Sequence, residues 1–288
     1  MLHPLAAAAR RVWPLAALGL ASCGGVLDPR GPVAEGEKTI LIDSLAIMLA
    51  IVVPTIAAAL AFAWWFRATN LRARYRPAWA YSGQLELIVW FIPLLTIILL
   101  GGVAWIGSHE LDPARRLPPG DRPLQVQVVS LDWKWLFIYP EQHVASVNRL
   151  VIPVGAPVEF SLTSASVLNA FFIPQLGSMI YTMNGMAPRL NLRADQAGTY
   201  RGISSHYSGA GFPDMHFPVE AVPQDSFAAW AEAARKDGPA LNRQSYAELA
   251  KQSMGVAPFT YREVDPALFH DIVTQAVPPG PGPSAENR

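Results

Sequence analysis

The stretch from Tyr200 to Phe217, YRGISSHYSGAGFPDMHF, has the spacing of a metal-binding loop but few side chains that bind metal. Ser204 and Ser208 stand four residues apart, and Met215 and His216 lie at the far end. A mixed-valence or type 1 copper centre needs a soft thiolate, which a neutral serine hydroxyl does not replace. Adjacent residues of a strand point to opposite faces, so Met215 and His216 are not expected to share a metal ion. We therefore predict that this loop holds no copper.

The cysteine count supports the same prediction, because Cys23 is the only cysteine in 288 residues. No internal disulfide or thiolate cluster can form from a single thiol. Cys23 follows two arginines and a short apolar stretch, residues 12–21, which is too short to span a bilayer. Small residues before such a cysteine are typical of a bacterial lipoprotein signal, although an ordinary signal with a buried cysteine is the alternative. We predict a signal peptide over residues 1–22 and lipidation at Cys23.

Composition points to a protein that lies partly in lipid. Hydrophobic residues make up 51% of the chain and charged residues only 15%. Lysine plus arginine equals aspartate plus glutamate, at 22 each, so no overall basic field predicts binding to nucleic acid.

Two apolar runs, residues 44–66 and 87–107, contain no charged side chain and are long enough to cross the hydrocarbon as helices. We predict transmembrane helices over residues 44–66 and 85–107, preceded by an outer segment at 23–43. The connecting loop, residues 67–84, carries arginines and no acidic residue. By the positive-inside rule this loop is cytoplasmic, so both outer ends of the helical hairpin face the other side of the membrane.

Beyond a linker at residues 108–123, short alternating runs separated by turn residues predict seven or eight strands. Strands of this length and number over residues 124–223 indicate a β sandwich or a small Greek-key barrel. Helical patterns return over residues 224–277, and the proline- and glycine-rich end, 278–288, is expected to be a disordered tail.

A two-helix hairpin followed by a short-stranded β domain resembles subunit II of the haem–copper respiratory oxidases. That resemblance implies a membrane α + β chain, in which the hairpin precedes a cupredoxin-like Greek-key β sandwich and a short helical C-terminal extension. Three segments carry it: SLDWKWLFIYP, VLNAFFIPQLGSMIYTMNGM and the loop quoted above. SLDWKWLFIYP is similar to the strand where electrons enter the copper-containing members. Without copper, Trp133 and Trp135 in this segment are expected to be core or interface aromatics.

The copper-containing members share the loop pattern Cys-x-Glu-x-Cys-Gly-x-x-His-x-x-Met and an upstream histidine. In this chain Ser204 and Ser208 stand at the cysteine positions, and Phe212 stands at the histidine. Asn169 stands at the upstream histidine, and only Met215 is retained. The resemblance therefore implies that this chain binds no metal. We expect Phe212 to fill space that the metal ligands occupy in those members.

The missing ligands, with the segments FFIPQLGSMIY, GTYRGISSHYSGAGF and WKWLFIYPEQ, resemble the ubiquinol oxidases of the cytochrome bo type. This implies subunit II of a proton-pumping oxidase that oxidises ubiquinol and reduces dioxygen to water. The chain itself would have no cofactor, because the haems and the catalytic copper would lie in subunit I. Its partners would be subunit I, the other subunits, membrane lipid and, through the complex, ubiquinol, with no nucleic acid.

The resemblance also implies a location in the bacterial inner membrane, with a lipid-anchored N-terminus and the β domain on the periplasmic side. Glu86 matches a carboxylate at the mouth of a proton channel, although an acid that only favours the helix N-terminus is the alternative. Three other assignments remain open: subunit II of a cytochrome c oxidase, a free copper-handling membrane lipoprotein, and an enzyme that uses menaquinol.

Overall fold

The computed structural model describes residues 25–74, 76–117 and 122–280. The predicted signal peptide, residues 1–22, and the predicted lipidation site, Cys23, lie outside the described residues. The chain forms two compact units. One comprises residues 36–112, and the other comprises the residues up to 35 together with those from 113 onward.

Two long helices dominate the first unit, α1 over Pro32–Trp65 and α2 over Gly83–Glu110. The apolar stretches of both are exposed and long enough to cross a membrane. Each helix contains a proline, which transmembrane helices tolerate when neighbouring groups satisfy the freed carbonyl. Both helices are longer than predicted, because a polar segment can continue a helix beyond the hydrocarbon. Much of the predicted outer segment 23–43 is therefore part of α1.

Two glycines allow α1 and α2 to pack closely near one end of the hairpin. A Cβ atom added at Gly107 would lie 2.4 Å from Cδ1 of Ile40, and one added at Gly36 would lie 2.9 Å from Cδ2 of Leu111. Small residues let transmembrane helices approach in this way. The predicted antiparallel hairpin thus has a specific contact at this end.

The second unit contains thirteen strands and three helices among its described residues. The strands of the sandwich are β1 Leu124–Leu131, β2 Lys134–Tyr139, β3 Val144–Val147, β4 Leu150–Pro153, β5 Pro157–Ser164, β6 Asn169–Ile173, β7 Gly177–Thr182, β8 Arg189–Arg193, β9 Gly198–Ser204 and β10 His216–Val222. The elements that follow are α3 Gln224–Lys236, β11 Ala240–Leu241, α4 Arg243–Leu249, β12 Phe259–Tyr261, β13 Glu263–Val264 and α5 Leu268–Val273.

Two sheets face each other across the main hydrophobic core. The six-stranded sheet has the order β12-β3-β2-β1-β5-β8, and the five-stranded sheet has the order β4-β10-β9-β6-β7. Both are mixed, since β1 pairs with β5 and β10 pairs with β4 in parallel, whereas the other pairings are antiparallel. The predicted membrane helices followed by a cupredoxin-like β sandwich are confirmed. Ten strands of these two sheets lie within residues 124–223, where seven or eight were predicted, and β12 of the C-terminal extension is the eleventh.

The C-terminal extension forms a third layer and is not purely helical as predicted. Strand β12 pairs with β3 and lengthens the six-stranded sheet, while β11 pairs with β13. Short strands of two or three residues are too brief to give a periodic pattern, which is why the sequence does not predict them. The described start of the predicted tail is also docked, because the backbone N–H of Gly280 donates to the carbonyl of Ala165 at 2.8 Å.

Strand β2 separates two hydrophobic cores. Trp135, Phe137 and Tyr139 face the core between the sheets, whereas Leu136 and Ile138 face the core beneath the extension. This is the period of two expected for a strand, but here both faces are buried. Burial on both faces explains why the segment is apolar throughout except at Lys134.

Candidate functional site

The loop with the spacing of a copper-binding loop connects β9 to β10 and lies beside β6. The backbone N–H of Ser204 donates to the carbonyl of Met215 at 2.8 Å, which closes the loop at its base. A short 3-10 helix, Phe212–Asp214, forms its far side. The loop therefore has a defined backbone conformation, and its ends are held by the five-stranded sheet.

Asn169 and Ser204, which stand at two of the ligand positions, are buried and contact each other. The hydroxyl of Ser204 donates to Oδ1 of Asn169 at 3.2 Å. The backbone N–H of Ala170 lies 3.4 Å from the same hydroxyl oxygen and donates to it. Both groups are neutral hydrogen-bonding groups, so their polar atoms are satisfied without a metal ion.

Ser208 and Met215 form a second buried pair. The hydroxyl of Ser208 donates to Sδ of Met215 at 3.4 Å, and the two residues are 7% and 2% exposed. The one retained ligand position thus has its sulfur engaged as a weak acceptor. The structure brings four of the sequence-predicted positions into two neutral pairs at the base of one loop.

Trp133 fastens this loop to the β1–β2 hairpin. Its indole N–H donates to the carbonyl of Ser208 at 3.1 Å. Its ring lies so close to Gly211 that an added Cβ atom would be 2.4 Å from ring carbons. Trp133 has φ of 68°, a left-handed conformation that is an outlier for a bulky side chain. The contacts with the loop hold this residue in a conformation that it rarely adopts.

The sequence identifies Trp133 as a core or interface aromatic but does not predict this role. The signal that could have found it is Gly211, since a glycine is needed where a backbone meets a large ring. Its neighbour Trp135 is fully buried in the core between the sheets, but its indole N–H has no hydrogen-bond partner among the described residues. The two tryptophans of this motif are therefore different in their polar contacts.

The expectation that Phe212 fills space that metal ligands occupy in the copper-containing members stays a prediction. Phe212 is half-buried and its ring lies 5.6 Å from that of the exposed Tyr207. Because it begins the short 3-10 helix, its ring packs against another ring of the loop at the surface. Ser208 and Met215 are more deeply buried side chains of the same loop.

The histidines of this region do not converge on one point. His206 and His216 are both exposed. The ring of His206 packs edge-on against Tyr181, with centroids 5.8 Å apart. Across residues 25–74, 76–117 and 122–280, no group of three or more His, Cys, Asp or Glu side chains is placed to hold a metal ion. The donors present near the loop base are two hydroxyls, one amide and one thioether, which do not fit copper.

Glu86 lies in the first turn of α2 and is exposed. Its backbone N–H donates to the carbonyl of Ser82 at 3.0 Å. An acid at this position stabilises the positive end of the helix dipole and is open to solvent. Its predicted part in proton entry stays a prediction.

A hairpin of membrane helices followed by a cupredoxin-like sandwich is the architecture of subunit II of the haem–copper oxidases. The sequence model of the family "Cytochrome C oxidase subunit II, periplasmic domain" matches residues 139–222, and that of "COX Aromatic Rich Motif" matches residues 235–280. The second match coincides with much of the extension that covers the six-stranded sheet.

Three relatives locate the chain within this class. Ubiquinol oxidase subunit 2 of Acetobacter aceti is 47% identical over 262 residues, covering 90% of this chain and 85% of the relative. Cytochrome bo(3) ubiquinol oxidase subunit 2 of Pseudomonas aeruginosa is 44% identical over 260 residues, covering 90% and 78%. Quinol oxidase subunit 2 of Bacillus cereus is 34% identical over 227 residues, covering 78% of each chain. The chain belongs to the family of ubiquinol oxidase subunit 2, as the resemblance predicted.

Proposed function

We propose that this chain is the redox-inactive subunit II of a proton-pumping oxidase that oxidises ubiquinol and reduces dioxygen to water. The observation that carries the proposal is the loop base, where Asn169, Ser204, Ser208 and Met215 form neutral hydrogen-bonded pairs. A subunit without a copper relay cannot pass electrons from a soluble donor. A quinol dissolved in the membrane needs no such relay, which agrees with the family of the chain.

The oxidase chemistry then belongs to other subunits. Haems and copper in subunit I would supply electron transfer and dioxygen reduction, while this chain would support assembly of the complex. The exposed apolar surfaces of α1 and α2 are available for lipid and for neighbouring subunits. On the β unit, Tyr181 and Tyr207 are 43% and 66% exposed beside the loop and are also available for contacts.

The direct test measures oxygen consumption by the purified complex with each donor in turn. We expect turnover with ubiquinol and none with reduced cytochrome c. Turnover with cytochrome c and not with ubiquinol would overturn the proposal and favour a cytochrome c oxidase. A third assay with menaquinol decides which quinol the complex uses, since the fold of this subunit does not distinguish them.

Membrane anchoring in the bacterial inner membrane has two proposed parts, the two helices and a lipid on Cys23. The segment that follows Cys23 is docked on the β unit, because the backbone N–H of Arg30 donates to Gln175 at 2.7 Å and that of Asp195 donates to Arg30 at 2.8 Å. A lipid on Cys23 would therefore lie a few residues from the folded surface on the periplasmic side. Mass spectrometry of the mature N-terminus tests this, and an unmodified Cys23 or an uncleaved signal would contradict it.

Proton entry at Glu86 is tested by Glu86→Gln, with Glu110→Gln near the opposite end of α2 as the matched control. We expect Glu86→Gln to slow turnover of the complex where proton uptake limits the rate, and Glu110→Gln to leave turnover unchanged. Equal turnover in both variants would mean that Glu86 only stabilises the helix N-terminus and takes no part in proton entry.

A further inference from the structure

A buried lysine lies beneath the C-terminal extension, away from the loop base. Lys134 is 1% exposed, on the face of β2 that carries Leu136 and Ile138. Asp132, two residues before it, is 3% exposed. Charged side chains are rarely buried to this degree, and burial of such groups carries a desolvation cost that specific partners must offset.

Apart from Ser166, whose hydroxyl donates to Oδ1 of Asp132, the hydrogen-bond partners of these two side chains belong to one irregular segment. We call this segment, residues 251–256, the strap. It follows α4, precedes β12, and contains neither helix nor strand. The ammonium of Lys134 donates to the carbonyl of Lys251 at 2.7 Å and to the hydroxyl of Ser253. The side-chain amide of Gln252 donates to Oδ2 of Asp132 at 3.3 Å.

A third buried polar side chain fastens the end of the strap. Asn148 is 6% exposed, and its Nδ2 donates to the carbonyl of Val256 at 2.8 Å. Its Oδ1 accepts from the backbone N–H of Trp135 at 2.8 Å. The strap is thus held to the sheet mainly by side chains of the sheet rather than by a backbone ladder. Segments held in this way open locally with less free energy than strands of the core.

We propose that Lys134 fastens the strap over the outer face of the six-stranded sheet, and that the strap opens more readily as the pH of the solution around the β unit falls. The inference is independent of the proposed oxidase function. It concerns a contact within the β unit.

The direction follows from the desolvation of Lys134. Burial lowers the pKa of Lys134 from its ordinary value of 10.5 to about 8, against the opposing effect of the Asp132 carboxylate. When the strap opens, water reaches the amine and its pKa returns toward the ordinary value. The open state then binds more protons between these two values, so the closed state gains stability as the pH rises through this window. Below about pH 8 the contribution is constant and the strap is least stable.

Other charged side chains near the strap form ion pairs of their own. The ammonium of Lys251 pairs with Glu248 at 2.6 Å on the exposed side. Burial raises the pKa of the phenols of Tyr246 and Tyr261, which line the same core. The remaining buried acid of the layer, Asp271, pairs with Arg243.

The test is amide hydrogen exchange of the strap in the full chain within its purified complex, at pH 7 and pH 9. Rates are normalised at each pH to those of the unfolded peptide. We expect protection of the strap to rise about tenfold from pH 7 to pH 9, as linkage predicts from the two pKa values. Strands of the main core serve as the internal reference.

Two variants test whether Lys134 is the group that causes the pH dependence. Lys134→Met removes the titrating group, and the pH dependence of strap protection should disappear even if overall protection is weaker. Lys251→Met keeps the backbone carbonyl that Lys134 contacts, so the tenfold change should persist. A wild-type strap with equal normalised protection at both pH values would overturn the proposal, whether or not the variants fold. A tenfold change that survives in Lys134→Met would also overturn it.

Discussion

Two adjacent residues of the β1–β2 hairpin, Trp133 and Lys134, hold two different segments of the β unit by different chemistry. On one side, Trp133 holds the loop base through an indole hydrogen bond and a contact with Gly211, and every polar partner there is neutral. On the other side, Lys134 holds the strap through a buried ammonium. Adjacent residues of one hairpin therefore secure one segment without charge and the other with charge. The first segment therefore depends on shape, whereas we expect the stability of the second to change with the protonation of Lys134.

The largest loss of stability should come from removing the ring of Trp133, which packs against the loop. Trp133→Ala should lower the free energy of unfolding by about 3 kcal/mol, since a large buried aromatic is lost and only part of the cost is returned by a smaller side chain at positive φ. Tyr207→Ala, at an exposed aromatic of the same loop, is the matched control and should cost little. Chemical denaturation of the purified chain measures both, and equal losses would show that Trp133 does not secure the loop.

The next largest loss of stability should come from changing the glycine that contacts the ring of Trp133. Gly211→Ala should cost about 1–3 kcal/mol, because the added methyl group overlaps the ring of Trp133 and either ring or loop must shift. Gly198→Ala places its methyl group 3.9 Å from Tyr200, an ordinary contact, and should be close to neutral. The same denaturation experiment compares the two glycines, and a neutral Gly211→Ala would contradict the close approach.

A smaller difference should separate the two tryptophans. Trp133→Phe and Trp135→Phe remove the same atoms, but only the first leaves the carbonyl of Ser208 without its indole donor. The indole N–H of Trp135 has no partner among the described residues, so its loss removes an unsatisfied polar group. We expect Trp133→Phe to be the more destabilising by about 1 kcal/mol. The opposite order in thermal unfolding would refute the assigned hydrogen bond.

The smallest effect is expected from pH on the loop itself. Between pH 7.5 and 9.5 the neutral pairs of the loop base do not titrate, so their normalised amide protection should stay constant while that of the strap rises. Hydrogen exchange on the same sample measures both segments. Parallel changes in the two would mean that the whole sheet, rather than Lys134, responds to pH.

The sequence predicted the architecture because its strongest signals are long or periodic. Two uncharged apolar runs predicted the helices, and alternation from Leu124 onward predicted the sandwich. The third layer was described only in part, since β11, β12 and β13 have two or three residues each and are defined by what they pair with. The lengths of α1 and α2 were underestimated because polar turns continue both helices past the apolar runs.

The candidate site was located by motif spacing, but its contacts were not. Alignment with the copper loop marked Asn169, Ser204, Ser208 and Met215, which the structure brings together in pairs. The half-buried position of Phe212 and its contact with Tyr207 could not be read from its type, because an aromatic residue suits a core and a surface pair equally well. The burial of Lys134 was not predicted, since only tertiary structure shows that the strap covers it.

We propose that the loop keeps the geometry of a copper loop without the side chains that bind copper. The most direct measurement is copper per chain, with visible absorption, for the wild type and for a variant carrying Asn169→His, Ser204→Cys, Ser208→Cys and Phe212→His. We predict no bound copper in the wild-type chain and copper–thiolate absorption in the variant, because a soft thiolate pair and imidazoles then stand on a retained frame. Stoichiometric copper in the wild-type chain, or a folded variant that takes up none, would contradict the account.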